Sequence, residues 1–307
     1  MRKKIAVITP VSHLPGIVDL LESKGDTYLL EEGDKSQVRN LLVEKDIDTV
    51  VCNPNQQTFI IDKELLEGTK VRVVNSCSTG LNHIDIKYCK SNNIEIQCHK
   101  NDYELINQLP STSELAFGLM LSLLRNIQKS SKHVEKYMWD YTQFMGRQVK
   151  DLNIGIVGYG RLGKMMDKFC KAFDANTYIY DPYVKVTQTS LEDMFKLCDV
   201  VSLHVHVTPE TVGIINKDLF VNNKNNPYII NTSRGEIVNE DDIVKGLKEG
   251  MLAGYGTDVV KDEFGDLSNS PIIRAMNEGE NIIITPHTGG MTVEGQTKAY
   301  KWSINKL

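Results

Sequence analysis

The sequence predicts an α/β protein with two domains, each built on a doubly wound parallel β-sheet. Three observations predict this fold class. The chain has 307 residues, which exceeds the size at which a single hydrophobic core usually stops growing. Short β-branched runs alternate with helix-length segments, a pattern typical of parallel sheets covered by helices. A polar stretch at residues 98–110 divides this pattern into two series.

The β-branched runs predict the strands of both domains. In the first series they lie at residues 5–8, 49–52, 71–74 and 94–96. In the second series they lie at residues 152–157, 177–180, 200–203, 228–231 and 282–285. A helical pattern at residues 297–304 is too short to form a domain, so we expect it to pack on the first one. The first domain is therefore predicted to comprise residues 1–100 with 287–307, and the second, inserted domain residues 101–286.

A long helix is predicted to begin at Ser111-Thr112-Ser113-Glu114, which has the S-x-x-E pattern of a capping box. The residues that follow, 115–124, are apolar on nearly every side of such a helix. A surface helix with one buried stripe would carry polar residues on its other side. We therefore expect this helix to be buried between domains or between subunits, and the second alternative predicts a homodimer.

Composition and charge exclude several classes of partner. A net charge of −5 provides no broad positive field for a nucleic-acid backbone. No apolar stretch approaches the roughly 20 residues that span a bilayer, and the first apolar run ends at Thr9-Pro10, too early for a signal peptide. The six cysteines include no C-x-x-C pair, which argues against a zinc site and a disulfide framework. We expect a soluble cytoplasmic protein without nucleic-acid or membrane partners.

A glycine-rich turn, Gly158-Tyr159-Gly160-Arg161-Leu162-Gly163, lies between an apolar strand and a helical pattern at residues 162–173. This context is the one in which a G-x-G-x-x-G segment binds a dinucleotide in a Rossmann domain. Gly158 would make the tight turn, Gly160 would admit the phosphates, and Gly163 would let the helix meet the strand. The pyrophosphate would accept hydrogen bonds from amides at the helix N-terminus. Arg161 either pairs with the pyrophosphate or is solvated.

A carboxylate, Asp181, follows the next predicted strand, 18 residues after Gly163. A carboxylate at this position accepts hydrogen bonds from the adenosine ribose hydroxyls. It also repels the 2′-phosphate of NADP, and no arginine follows nearby, so NAD is the predicted cofactor. The structural alternative for Asp181 is a turn residue before Pro182.

Three ionisable residues are candidates by their position: Arg234 and His287 lie just beyond predicted strands of the second series, and Glu263 follows the segment Thr257-Asp258-Val259-Val260. Because ligands of open α/β sheets bind outside the carboxyl ends of the strands, all three are candidates for chemistry. Each has a structural alternative: a solvated turn for Arg234, an acidic surface stretch for Glu263 and a structural loop histidine for His287. His204 and His206 have no third ligand at a suitable spacing, so no metal site is predicted.

The sequence resembles the D-isomer-specific 2-hydroxyacid dehydrogenase family over nearly its whole length. The matching motifs lie in one order along the chain. They are residues 78–85 (STGLNHID), 113–115 (SEL), the glycine turn with Asp181, Leu203-His204, 208–211 (TPET), 233–238 (SRGEIV), Asp258 with Glu263, and Pro286-His287. The resemblance implies a flavodoxin-like substrate domain with an inserted Rossmann NAD-binding domain, and a homodimer.

The family resemblance also implies the roles of individual residues. It implies catalytic roles for Arg234, Glu263 and His287, and substrate binding by Ser78, Thr79 and Gly80. The residues implied to bind the cofactor are Gly158, Gly160, Arg161, Leu162, Gly163, Asp181, His204, Thr208, Thr232 and Asp258. For Asp258 the implied contact is the nicotinamide amide, and a capping or turn role is the alternative.

These roles agree with the chemistry of 2-keto acid reduction, which needs a hydride donor, a proton donor and a cation for the carboxylate. Histidine exchanges protons near neutral pH, so His287 suits proton transfer. Glu263 would orient the imidazole through its second nitrogen and stabilise the imidazolium. Arg234 can form two parallel hydrogen bonds with the substrate carboxylate, and backbone N–H groups of residues 78–80 can bind its other oxygen.

Two further functions are possible on the same scaffold. One is a non-enzymatic adaptor that senses NAD, although the complete Arg234, Glu263 and His287 set favours an enzyme. The other is the oxidation of an inorganic or one-carbon anion. The predicted activity is the NAD-dependent interconversion of a D-2-hydroxy acid and its 2-keto acid.

Overall fold

The structure, a computed structural model, describes residues 2–54, 59–221, 225–263 and 265–307. The chain divides into two compact units. Unit 1 comprises Met1–Leu109 and Met291–Leu307, and unit 2 comprises Pro110–Gly290. Unit 2 is thus inserted into the sequence of unit 1.

Unit 1 is a doubly wound α/β domain. Its strands are β1 (Lys3–Val7), β2 (Gly25–Leu29), β3 (Thr49–Cys52), β4 (Val73–Ser76) and β5 (Glu95–Gln97). Its helices before unit 2 are α1 (Ile17–Lys24), α2 (Lys35–Glu44), α3 (Lys63–Leu66), α4 (Ile86–Ser91) and α5 (Tyr103–Ile106). Within the described residues the strands form one parallel five-stranded sheet in the order β2-β1-β3-β4-β5, which is the flavodoxin-like order.

Unit 2 is a second domain of the same class with one more strand. Its strands are β6 (Asn153–Val157), β7 (Asn176–Tyr180), β8 (Val200–Leu203), β9 (Tyr228–Asn231), β10 (Gly254–Thr257) and β11 (Ile282–Ile284). Its helices are α6 (Ser111–Leu124), α7 (Ile127–Glu135), α8 (Arg161–Ala172), α9 (Leu191–Leu197), α10 (Glu240–Lys248) and α11 (Pro271–Asn277). The sheet order across the described strands is β11-β10-β9-β8-β6-β7, with every pairing parallel. The chain then returns to unit 1 as helix α12 (Val293–Ile304).

Each sheet has a hydrophobic core on both faces, which explains the continuous apolar runs of its central strands. In unit 1, alternate residues of β1 point to opposite cores. Ile5 and Val7 pack with α1 and α12, whereas Ala6 packs with α2 and α3. In unit 2, α6 and α8 cover one face, and α9, α10 and α11 cover the other.

The sequence analysis did not predict two strands, β2 and β10, and glycine accounts for both. β2 is an edge strand in which Gly25 pairs with Lys3. A Cβ at Gly25 would lie 2.5 Å from the Lys3 carbonyl oxygen, so close pairing requires glycine. In β10, a Cβ at Gly256 would lie 3.1 Å from Leu123 of α6. Glycines that allow close packing remove the β-branched pattern by which strands are predicted.

Helix α6 begins at the predicted place, but the predicted capping box is wrong. Pro110 is the N-cap residue and no side chain caps the helix. The amides of Ser113 and Glu114 instead donate to the Pro110 carbonyl oxygen, at 2.8 and 3.0 Å. Ser113 Oγ donates to the Leu162 carbonyl oxygen at 3.0 Å, because this face of α6 packs against the glycine turn. The helix is buried mainly by its own unit, through contacts with α8, β9, β10 and β11.

The observed units end later than the predicted boundaries at residues 100 and 286. Residues 101–109 stay with unit 1 because α5 packs against α12, and Lys298 Nζ donates to Gln108 Oε1 at 2.7 Å. Residues 287–290 stay with unit 2 because the amide of Gly289 donates to the Asp258 carboxylate at 2.7 Å. α12 packs on unit 1 as predicted, and Tyr300 is fully buried there.

Two observations concern membrane-spanning helices and the cysteines. No helix in the described parts of the chain is long and apolar enough to cross a membrane. All six cysteines are free thiols, and five of them are buried.

Candidate active site

The predicted residues of unit 2 lie at the carboxyl ends of its strands. The sheet order reverses between β6 and β8, and the crevice at such a switch point is where doubly wound sheets bind ligands. Each described strand of unit 2 is followed by a predicted site residue. In chain order these residues are Gly158 after β6, Asp181 after β7, His204 after β8, Thr232 after β9, Asp258 after β10 and His287 after β11.

The glycine turn between β6 and α8 needs glycine at two positions for close packing and leaves space at the third. Gly158 has a φ of +91°, and a Cβ there would lie 2.5 Å from the His204 carbonyl oxygen. A Cβ at Gly163 would overlap the carbonyl oxygen of Gly158. A Cβ at Gly160 would meet no atom within 4 Å, so space remains beside this backbone. No side chain caps the N-terminus of α8, which leaves its first amides suited to an anion.

Asp181 forms the turn that the sequence offered as its structural alternative, and its carboxylate also contacts the glycine turn. Its Oδ1 accepts from the Tyr183 amide at 2.9 Å, which closes the turn at Pro182. Its Oδ2 accepts from the Tyr159 amide at 2.7 Å, which joins this turn to the glycine turn. Because each carboxylate oxygen has a second lone pair, Asp181 retains acceptors for the hydroxyls of a ribose.

His204 and Thr232 each bury a polar atom that has no partner among the described residues. These atoms are Nδ1 of His204 and Oγ1 of Thr232, at the ends of neighbouring strands β8 and β9. His204 Nε2 lies 2.9 Å from Ser202 Oγ, and burial lowers the pKa of His204 to about 4, so the ring is neutral at pH 7. Since unpaired buried polar atoms are costly, the two atoms indicate a ligand at this edge, and these residues fit a bound dinucleotide.

The remaining predicted cofactor residues differ in their surroundings. Arg161 is half-buried at the start of α8, and burial lowers its pKa. Leu162 is half-buried, and its carbonyl oxygen accepts a hydrogen bond from the Ser113 hydroxyl. Thr208 is exposed, and its amide donates to Thr211 Oγ1 at 2.7 Å. The structure therefore gives Thr208 a turn role of its own.

Glu263 and His287 meet, as predicted. His287 Nδ1 lies 2.9 Å from Oε2 and 3.0 Å from Oε1 of Glu263. The backbone of His287 is left-handed, with a φ of +53°. Its Nε2 makes no hydrogen bond within the part of the chain that the structure describes. A carboxylate on Nδ1 requires that nitrogen to carry a proton, which leaves Nε2 to exchange a proton with a ligand.

Asp258 holds the turn that contains His287. Its Oδ1 accepts from Thr285 Oγ1 at 2.5 Å and from the Thr288 amide at 2.7 Å, and its Oδ2 accepts from the Gly289 amide at 2.7 Å. The His287 amide in turn donates to the Asp258 carbonyl oxygen at 2.9 Å. Asp258 is buried, with 2% of its surface exposed. This geometry matches the turn role that was the alternative to a nicotinamide contact.

Arg234 lies in a turn that is tied to the segment leading to Glu263. Its carbonyl oxygen accepts from Asn231 Nδ2 at 2.9 Å, and its Nη1 donates to the Ser233 carbonyl oxygen at 2.7 Å. No carboxylate among the described residues forms an ion pair with Arg234. A Cβ on Gly235 would overlap the backbone of Val260 and Lys261. Glycine at this position therefore lets the Arg234 turn pack directly against the chain that precedes Glu263.

Glu240 holds the segment that precedes Glu263, and the sequence did not predict this contact. It is buried at the start of α10, and its Oε1 accepts from the Lys261 amide at 2.7 Å. Burial raises the pKa of Glu240. A glutamate in the first turn of a helix is usually a solvated residue that favours the helix dipole, so no sequence signal marks this one.

The predicted substrate loop, residues 78–80, follows β4 in unit 1. The amides of Ser78, Thr79 and Gly80 donate no hydrogen bond to any described residue. Thr79 is exposed, and the Ser78 carbonyl oxygen accepts from the His99 amide at 2.8 Å. Three successive amides without a described acceptor leave three donors available to an anion. The described residues contain no cluster of three His, Cys, Asp or Glu side chains that could hold a metal ion.

Comparison with known proteins places both units in one family. The catalytic-domain model of the D-isomer specific 2-hydroxyacid dehydrogenases matches residues 5–107, and the NAD-binding-domain model of the same family matches residues 117–289. Together these matches cover most of unit 1 and unit 2.

Individual relatives agree with the family match. D-3-phosphoglycerate dehydrogenase of Rattus norvegicus is 30% identical over 237 residues, covering 75% of this chain and 42% of that protein. The enzyme of the same name from Methanocaldococcus jannaschii is 28% identical over 305 residues, covering 96% and 55%. The chain thus spans about half the length of these curated relatives.

A solved structure extends the likeness to the fold. D-lactate dehydrogenase from Aquifex aeolicus, complexed with NAD and lactic acid, is 25% identical. It superposes with a TM-score of 0.75 over 99% of this chain and 94% of that one. The chain therefore belongs to the D-isomer specific 2-hydroxyacid dehydrogenase family, and its unit 2 is an NAD-binding domain.

Proposed function

We propose that the protein interconverts a D-2-hydroxy acid and its 2-keto acid by hydride transfer with NAD. The observation that supports this function most strongly is the Glu263–His287 pair, held by Asp258 at the same sheet edge as the glycine turn. When bound, NADH supplies the hydride that reduces C2 of the keto acid, and NAD accepts it in the opposite direction.

His287 is proposed to move the proton that balances the hydride. In the reductive direction, Nε2 donates a proton to the oxygen on C2 as the C2–H bond forms, and it recovers a proton from solvent afterwards. Glu263 keeps Nδ1 protonated and stabilises the positive imidazolium before the transfer. In the oxidative direction the neutral Nε2 accepts the hydroxyl proton.

Arg234 and the substrate loop are proposed to bind the carboxylate of the acid. The guanidinium of Arg234 has no described carboxylate partner, and a guanidinium can form two parallel hydrogen bonds with a carboxylate. The free amides of Ser78, Thr79 and Gly80 offer three further donors. Both groups select a substrate with a carboxylate next to the reacting carbon.

NAD is proposed to bind through the residues of unit 2 described above. The three glycines and the amides at the start of α8 would hold the pyrophosphate, with Arg161 and Leu162 beside it. Asp181 would accept hydrogen bonds from the ribose hydroxyls. His204 Nδ1 and Thr232 Oγ1, which have no partner among the described residues, would form hydrogen bonds with the ligand. Thr208 stays a candidate from the family resemblance alone.

The test is NADH oxidation with a panel of 2-keto acids, phosphorylated acids included. We expect turnover of at least one acid by the wild type, and loss of turnover with retained NADH binding in Arg234→Ala and His287→Ala. Arg274→Ala is the matched control, since Arg274 Nη2 donates only to the Asn269 carbonyl on the surface of unit 2. NADH binding without turnover of any acid would favour the adaptor, and product analysis would reveal oxidation of a one-carbon or inorganic anion.

A homodimer is proposed as the functional form. Large apolar side chains are exposed along residues 127–145 of unit 2, including Tyr137, Trp139, Tyr141 and Met145, each more than 80% exposed. Several large apolar side chains exposed close together in the chain favour an interaction surface. Mass measurement at micromolar concentration should give a dimer that Trp139→Ser weakens, whereas Tyr183→Ser, at an equally exposed site, should not. A monomeric wild type would contradict this proposal.

The cytoplasm is the proposed compartment. All six cysteines are free thiols and five of them are buried, as expected in a reducing environment. Fractionation of the source cells with an antibody should find the protein in the cytoplasmic fraction.

A further inference from the structure

His83 is buried beneath the substrate loop and is not assigned a role by the proposed function. It lies three residues after Gly80, and 5% of its surface is exposed. Its Nε2 lies 3.1 Å from Ser76 Oγ at the end of β4. Ser76 Oγ lies 2.9 Å from Ser78 Oγ, and Ser78 Oγ donates to the Gly80 carbonyl oxygen at 2.7 Å. A continuous chain of hydrogen bonds thus joins the imidazole to the loop.

The direction of this chain follows from its last link. The Ser78 hydroxyl has one proton, which it gives to the carbonyl of Gly80, so its oxygen must accept from Ser76. The Ser76 hydroxyl then gives its only proton to Ser78, and its oxygen must accept from His83. His83 is therefore the donor at Nε2, and its Nδ1 carries no proton if the ring is neutral.

Two observations agree with a neutral ring protonated at Nε2. Nδ1 of His83 is buried without a hydrogen-bond partner among the described residues, which costs less for a bare acceptor than for a charged donor. Burial also lowers the pKa of His83 to about 4, so the ring is neutral at pH 7. Cys52 Sγ lies 3.5 Å from the same Nε2 atom and also hydrogen-bonds Ser76, so it flanks the His83–Ser76 link but has no contact with Ser78 or Gly80 among the described hydrogen bonds.

We propose that His83 is a positioning residue, which holds the substrate loop in the conformation that binds the substrate carboxylate. The Ser78 hydroxyl and the Gly80 carbonyl close a ring around the exposed Thr79. Glycine has the widest choice of backbone conformations, so this ring restrains the residue most able to change the loop. The His99 amide holds the Ser78 carbonyl from the other side. This inference rests on the proposed function, because it needs the loop to bind the acid.

The test compares KM and kcat for the best 2-keto acid in variants that cut the chain. His83→Leu and Ser76→Ala should each raise KM about fivefold or more, the effect of one net hydrogen bond. Neither should change NADH affinity, since unit 2 binds the cofactor. His83→Gln, which keeps an N–H near the position of Nε2, should restore KM to within about twofold of wild type. The double variant His83→Leu/Ser76→Ala should be no worse than either single variant, because both remove the same chain.

Cys52→Ala is the matched control. It removes buried packing and the contacts of Sγ with His83 Nε2 and Ser76, but it leaves all three links from His83 through Ser76 and Ser78 to Gly80 in place. Its Tm should fall while KM stays unchanged. If His83→Leu does not fold, Ser76→Ala and Ser78→Ala take its place in the comparison.

The outcomes separate this inference from the proposed function. Turnover by the wild type with an unchanged KM in His83→Leu and Ser76→Ala overturns the positioning role alone. If KM rises by the same factor in His83→Leu, His83→Gln and Cys52→Ala, the cause is a general loss of packing. That result would also overturn the positioning role. A wild type that turns over no 2-keto acid overturns both proposals.

Discussion

Replacing Glu263 with glutamine should lower turnover without unfolding the protein or releasing NADH. The glutamate carboxylate contacts His287 Nδ1 through both oxygens, at 2.9 and 3.0 Å. Coulomb's law at about 3 Å and an effective dielectric constant of about 20 gives about 5 kcal/mol for the full ion pair. The side chains are 18% and 31% exposed, so solvent screens part of this energy.

The expected loss is that of a charge-assisted hydrogen bond, about 1.5–3 kcal/mol. Glutamine keeps an oxygen that can accept from Nδ1 but loses the negative charge that stabilises the imidazolium. We therefore expect kcat/KM for keto acid reduction to fall about 10- to 150-fold in Glu263→Gln. The measurement is steady-state NADH oxidation, with NADH affinity followed separately by fluorescence titration.

Glu278→Gln is the matched control, because Glu278 pairs with Lys248 on the surface of unit 2. It should retain wild-type kinetics. A change of less than twofold in Glu263→Gln would contradict the proposed role of Glu263, because a carboxylate that stabilises a proton-transferring imidazole cannot lose its charge without a loss of rate. Loss of NADH binding in Glu263→Gln would refute it as well, since the contact with His287 has no part in binding the pyrophosphate.

Three other perturbations test separate parts of the account. Gly160→Ala should weaken NADH binding but keep the wild-type Tm, because a Cβ at Gly160 meets nothing within 4 Å. Gly163→Ala should weaken NADH binding and, in addition, destabilise the fold by about 1–3 kcal/mol, because a Cβ at Gly163 overlaps the Gly158 carbonyl. Equal Tm values for the two variants would contradict this account. Asp258→Asn puts an NH2 group where a carboxylate oxygen now accepts from a backbone amide, so that two donors face each other. Tm and kcat should therefore fall while NADH affinity is retained. Reduced NADH affinity at an unchanged Tm would instead support the nicotinamide contact. Burial lowers the pKa of His83 from 6.5 to about 4. Between these pH values the unfolded chain binds a proton at His83 that the folded chain does not bind, so the free energy of unfolding should fall by up to about 3 kcal/mol as the pH drops from 6.5 to 4. Urea unfolding across these pH values should show a smaller drop in His83→Gln, and equal drops would contradict the lowered pKa.

The sequence predicted most strands and the functional sheet edge, for a physical reason. Strands such as β6 and β8 are buried on both faces, and their apolar runs are visible without a structure. Because all strands of the unit 2 sheet are parallel, residues that follow them lie at one edge. Spacing alone thus placed Asp181, Arg234 and His287 at strand ends, although only the structure shows that Glu263 reaches His287.

What the sequence did not predict depends on close approach or on long-range contacts. Gly25, Gly254 and Gly256 fit where a side chain would collide with a neighbour, and they erase the strand pattern of β2 and β10. Glu240 contacts an amide 21 residues away, which no local pattern encodes. The S-x-x-E segment at Ser111 predicted the helix start but not its cap, because Pro110 occupies the N-cap position.

The proposed reaction moves a hydride between NADH and C2 of a 2-keto acid while His287 moves the proton. The most direct measurement uses NADH with deuterium in place of both hydrogens of the reactive carbon and follows the label into the product by mass spectrometry. We predict that the wild type delivers deuterium to C2 and forms the D-2-hydroxy acid, and that His287→Ala binds NADH but delivers none at a comparable rate. Label transfer by His287→Ala at the wild-type rate, or a wild type that binds NADH and transfers no label, would contradict the account.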